Sequence, residues 1–146
     1  MRMKLWHVIT TVVGLLALLA VTVFVLSRWH ALPEQISTHF DAAGRAESFG
    51  GKGSLITLLA TGWIVFLLIT VLSFFPQTWN VSNRSPQGLR ATANMLAVIR
   101  LIIALMFSWM IFCTSQSRNL GLWFMPVTMT AVFGTVIAGL IATLRK

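Results

Sequence analysis

Residues 91–113 read ATANMLAVIRLIIALMFSWMIFC, an apolar run with one charge inside it, Arg100. A membrane helix takes about 20 mainly apolar residues, and this run is long enough. Three other runs also qualify. They are residues 5–26 (LWHVITTVVGLLALLAVTVFVL), 55–75 (LITLLATGWIVFLLITVLSFF) and 122–144 (LWFMPVTMTAVFGTVIAGLIATL). Counting the arginine-bearing run as a span makes four. The expected fold is then an all-α integral membrane four-helix bundle, with a short extracytoplasmic loop or hairpin between the first two helices.

Composition agrees with lipid as the main solvent. The 146 residues are 57% hydrophobic and only 10% charged, against roughly 25% charged in a soluble domain. The length suits a single domain. The net charge of +8 is spread over the ends of the apolar runs. That placement suits anionic headgroups and not nucleic acid, which needs a continuous basic face. Cys113 is the single cysteine, so no intrachain disulfide forms; in its apolar run it reads as a small buried hydrophobe.

The first run follows MRMK but is longer than the 7–15 residues of a signal-peptide core, so it reads as an uncleaved span. Trp6, Trp29, Trp79 and Trp123 stand at run edges, where indoles prefer the headgroup level. Trp63 and Trp109 lie inside runs and read as packing residues. His7 and His30 read as interfacial anchors. Small residues that admit close helix approach cluster at Ala60, Thr61 and Gly62 and recur at Gly134, Ala138 and Ala142. Ser85 before Pro86 is a helix-start signal. Counting Lys and Arg in the connections favours both termini in the cytoplasm, with Arg2, Lys4, Arg84, Arg90, Arg145 and Lys146 inside. The connection 32–52 is then extracytoplasmic, in a multi-pass protein of the cell membrane.

That connection, LPEQISTHFDAAGRAESFGGK, holds all three acids of the chain, Glu34, Asp41 and Glu47. Asp41 and Gly44 occupy the first and fourth positions of a type I turn. A hairpin closed there sets Phe40 opposite Arg45, Thr38 opposite Glu47 and Ile36 opposite Phe49. Ile36, Phe40 and Phe49 then share a face toward the bundle, with Ser37, His39, Ala46 and Ser48 on the other. GGKGS lacks the spacing and the preceding strand of a phosphate loop.

The spacing Pro33-x-x-Ile36-x-x-His39-Phe40-Asp41-x-x-Gly44, followed by Gly50 and Lys52 and placed after a first span, resembles the N-terminal domain of the SdpI family. These are bacterial membrane proteins named for an immunity protein against a secreted killing factor. The likeness reaches over about residues 1–115. Longer members continue into a second membrane domain with its own signature, which this chain does not show. The resemblance implies a membrane protein with an extracytoplasmic motif; it does not imply an enzyme. It nominates Pro33, Ile36, His39, Phe40, Asp41, Gly44 and Lys52 as motif or partner-binding residues.

Three roles stand open for His39: a hydrogen bond holding the loop on the bundle, recognition of a partner, or a metal contact. The last is the weakest, because structural zinc usually takes four ligands, often including Cys, and the loop has no Cys. No metal and no cofactor is expected. Arg100, the intramembrane polar candidate, either snorkels to the headgroups or marks a functional site. The leading functional expectation is a non-enzymatic membrane protein that gives immunity to a secreted toxic peptide through its outer loop. Its expected partners are the bilayer and such a peptide or another membrane protein, with oligomers allowed. The alternatives are an accessory subunit of a larger membrane complex and a small transporter. The transporter reading suffers because no Asp or Glu lies in any span.

Overall fold

The structure is a computed structural model and describes residues 5–79 and 84–144. Helix α1 (Leu5–Ser27) leads through a 3-10 turn into strands β1 (Gln35–Phe40) and β2 (Ala46–Gly51). Helices α2 (Ser54–Ser73), α3 (Pro86–Ser115) and α4 (Phe124–Leu144) follow, with a second 3-10 turn at Pro76–Thr78. All four helices are long and apolar enough to cross a membrane. The chain is an all-α, multi-pass four-helix membrane bundle carrying one two-stranded hairpin. Of the cations used to argue orientation, Arg2, Lys4, Arg145 and Lys146 lie outside the described residues.

Helix α3 is the centre, and α1, α2 and α4 each pack mainly against it. It starts where the Ser85-Pro86 signal puts it, with the Ser85 hydroxyl accepting from the Gly88 amide at 3.1 Å. Its buried residues Ala93, Ala97, Arg100, Ala104 and Ile111 recur at helical spacing and form a stripe of mostly small side chains. In lipid there is no hydrophobic drive between helices, so close backbone approach and van der Waals contact hold the bundle. Gly14 of α1 provides such an approach: a Cβ there would lie 2.8 Å from the Phe66 ring and 3.1 Å from Ala104. Gly62 packs against Phe107, and Gly139 receives the Met95 side chain.

These contacts correct part of the small-residue reading. Gly62 does sit at a helix contact, but Ala60 and Thr61 are exposed. At Gly134 an added Cβ would meet no atom within 4 Å. The contact falls on Gly139, five residues on, because a helix turns that many residues onto a different face. Helix α4 buries only Phe124 and Gly139. Two residues read as interfacial anchors are packed inward, against the chain itself. Trp79 is buried and its indole N–H donates to the Leu72 carbonyl at 2.8 Å, closing the end of α2. His7 is buried, with Nε2 2.9 Å from Asn94 Oδ1. Trp63 and Trp109 are packing residues, bonded to Thr22 Oγ1 and the Leu120 carbonyl, each at 3.0 Å.

The hairpin forms, one residue out of the expected register. Gln35 faces Gly51, Ile36 faces Gly50, Ser37 faces Phe49, His39 faces Ser48 and Phe40 faces Ala46. The cause lies in the turn. The Asp41 amide donates to the Arg45 carbonyl and the Gly44 amide to the Asp41 carbonyl, both at 2.9 Å. Gly44 has φ +71°. This is a three-residue loop ending in a left-handed glycine bulge, so Arg45 pairs with Asp41 and not with Phe40. A one-residue slip turns side chains to the other face, and Phe49 is 58% exposed instead of covered. The pairing shifts again around His39, and Ile36 and Ser37 are both buried in succession.

Candidate functional site

The motif residues build and dock the hairpin. Ile36 is fully buried among Val21, Val25, Leu32, Leu55, Leu59 and Ile111, drawn mainly from α1, α2 and α3. Phe40 packs on a second cluster, Cys113, Leu120 and Phe124. Lys52 pairs with Glu34 at 2.6 Å and lies over the Trp29 ring at 5.7 Å. Pro33 is exposed in the loop that enters β1. The hairpin is tied to the α3–α4 connection by three hydrogen bonds. The Leu120 amide donates to the Gly44 carbonyl at 2.8 Å, the Ala46 amide to Asn119 Oδ1 at 2.9 Å and the Ser117 hydroxyl to the Gln35 carbonyl at 3.2 Å. Gly44 is needed for contact as well as for φ, since a Cβ there would lie 2.6 Å from the Gly121 carbonyl oxygen.

Asp41 holds the turn. Its Oδ1 accepts from the Ala43 and Arg45 amides at 2.9 and 2.8 Å, and Oδ2 from Arg45 Nε at 2.8 Å. The Arg45 backbone N–H is the main cause that holds the Asp41 carboxyl below the usual aspartate value; partial desolvation opposes it, and the Arg45 guanidinium adds to the lowering. A lowered folded value means the carboxylate supports the turn above the ordinary aspartate range. That support disappears as pH falls through the lower, folded value. A carbonyl-carbon titration is expected to place the Asp41 midpoint below that of an unstructured aspartate. A midpoint at or above the ordinary value would remove Asp41 from its anchoring role.

His39 is exposed. The contacts that hold the loop on the bundle are made by Ile36, Phe40, Gly44, Ser117 and Asn119. Gln35, His39, Ala42, Arg45, Glu47, Phe49 and Gly51 are the exposed residues of the hairpin.

Beneath the hairpin, between α2 and α3, lies a cavity of about 300 Å³. Six hydroxyl side chains line it: Ser37, Thr38, Ser54, Thr57, Thr61 and Thr114, with Phe40, Leu58 and Met110. Ser37 Oγ and Thr114 Oγ1 are buried and have no hydrogen-bond partner among the described residues. Buried hydroxyls are nearly always bonded, so two orphans in one cavity point to a polar occupant. No charged side chain lines the cavity, which suits a neutral polar group. Sequence reading missed this site, because its hydroxyls come from β1, α2 and α3 and share no spacing.

Arg100 is the other site residue. It is 3% exposed, so its side chain is packed inside the bundle and does not lie on its outer surface. Its guanidinium turns into the bundle, donating to Ser73 Oγ and the His7 carbonyl, both at 3.4 Å, and to Thr11 Oγ1. Among the described residues no group of three or more His, Cys, Asp or Glu side chains is placed to hold a metal.

A membrane bundle with a hairpin locked across one end defines the class of this protein. Residues 15–72, from mid-α1 through the hairpin to the end of α2, match the family model of a domain of unknown function, DUF1648. No curated protein and no solved structure matches the chain.

Proposed function

We propose that the chain is a non-enzymatic, SdpI-like protein of the bacterial cell membrane that binds a secreted toxic peptide at its hairpin and so protects the cell. In this reading both termini are cytoplasmic and the hairpin faces outward. The observation that carries it is the pair of orphaned hydroxyls, Ser37 and Thr114, in the cavity that the hairpin roofs. A peptide laid along the exposed His39, Glu47 and Phe49 reaches this cavity with a neutral polar side chain or a backbone amide. The rigid docking of the hairpin supports the reading, because a preorganised surface loses little entropy on binding.

The test is survival of a sensitive host challenged with secreted killing peptides. Wild type is compared with His39→Ala and with the double variant Ser37→Ala, Thr114→Val at matched membrane levels. Protection by wild type that falls at least tenfold in the double variant is the expected result. A wild type that protects against no peptide sinks the immunity reading. Helix α4 favours the accessory-subunit alternative, since so little of it is buried within the chain, and co-purification of a membrane partner in place of protection would select it.

A further inference from the structure

We propose that Arg100 is the anion-holding residue of a second site, which takes a phosphate-class oxyanion at the end of the bundle opposite the hairpin. The argument begins with charge. Every acidic side chain of the chain lies in the hairpin connection, at positions 34, 41 and 47, so no carboxylate side chain neutralises the buried guanidinium. A buried charge without a counter-charge is costly. The partners it does have are dipoles already in use. The Thr11 hydroxyl donates to the His7 carbonyl at 2.6 Å, and the Ser73 hydroxyl to the Thr70 carbonyl at 2.6 Å. Their oxygens are thereby turned toward the guanidinium, and Nε is still left without a partner among the described residues.

The second observation is space. Arg100 lines a cavity of about 130 Å³ with His7, Ser73, Phe74, Pro76, Ala93 and Ala97. One water needs only about 10–15 Å³ of such volume, so the cavity admits a polyatomic anion. The guanidinium fork matches phosphate oxygens in geometry and charge. The Ser73 hydroxyl and the His7 ring, held through Nε2 by Asn94 at 2.9 Å, stand at the same opening. The depth fits as well. His7 lies in the first turn of the described α1 and Ser73 is the last residue of α2, so the cavity opens near the level at which lipid phosphates lie. Ala93 and Ala97 are small where larger side chains would close it.

The test uses the full chain in neutral detergent at constant ionic strength. Phosphorus NMR and the thermal midpoint are followed while inorganic phosphate is added. In a second arm the ligand is a short-chain phosphatidate, with phosphatidylcholine as control. Wild type is expected to bind in at least one arm. Arg100→Gln and the cavity-filling Ala97→Leu, which leaves the arginine in place, are expected to weaken binding at least tenfold. Response to the lipid alone identifies a headgroup site, and response to inorganic phosphate identifies a soluble anion. Wild type silent in both arms overturns the proposal. So does binding that survives unchanged in folded Arg100→Gln or Ala97→Leu, with helicity read by circular dichroism in each.

Discussion

Gly44→Val is expected to release the hairpin from the bundle while leaving the helices assembled. Two costs add. A β-branched residue at φ +71° sits in the left-handed region, at roughly 1–2 kcal/mol. Its Cβ must also move away from the Gly121 carbonyl oxygen, 2.6 Å off. That oxygen is backbone and cannot step aside as a flexible side chain would, and overpacking of this kind costs about 1–3 kcal/mol. The sum, about 3 kcal/mol, is on the order of a hundredfold in the docking equilibrium, at about 1.4 kcal/mol per factor of ten. The readout is hydrogen exchange at the Leu120 amide, which donates to Gly44 at 2.8 Å. Its protection should fall by about that factor. Gly51→Ala is the control, since a Cβ there meets nothing within 4 Å. Equal protection in Gly44→Val and wild type would show that the docking does not pass through this residue. If the hairpin binds a peptide as proposed, Gly44→Val should also lose protection in the survival assay.

Gly14→Leu is expected to have the largest effect on the bundle itself. The residue lies where α1, α2 and α3 meet, with Phe66 at 2.8 Å and Ala104 at 3.1 Å from the would-be Cβ. Phe66 is 1% exposed and Ala104 is fully buried, so neither has room to move. Leucine is the better helix former, by just under about 1 kcal/mol, yet the overpacking term of about 3 kcal/mol dominates. Unfolding in a mixed-micelle denaturant titration should show the loss. Gly134→Leu, on an open face of α4, should be no less stable than wild type and gain up to about 1 kcal/mol from helix propensity. A Gly14→Leu variant as stable as wild type would mean that α1 does not cross its neighbours at this point.

The two glycines also show where sequence reasoning works. Gly44 was legible as a turn residue, because a type I turn is a local event and Asp-x-x-Gly specifies it. Its contact with Gly121 was not, since 77 residues separate them. The register failed by one position because the loop has three residues and not four, and that choice depends on the glycine's φ. Phe49 and Ser37 both changed surroundings as a result, Phe49 exposed and Ser37 buried. Cys113, by contrast, is buried as its apolar run implies. Arg100 was visible as an anomaly at once, but its burial depended on which face α3 turns toward α1 and α2.

By itself the sequence determined the number of helices, their approximate ends and their apolar environment. Those properties are set locally, by hydrocarbon thickness against rise per residue and by caps such as Ser85. It also determined that no acidic side chain lies in any of the four apolar runs. Only the tertiary structure decided which glycines touch a neighbour, which hydroxyls lack partners and what surrounds the arginine. The physical reason is that contact between helices in lipid is made by small residues on one face of each helix. Which face is turned inward depends on all the neighbours together. The hydroxyls of Ser37 and Thr114 and the guanidinium of Arg100 acquire their meaning only when those faces close around them.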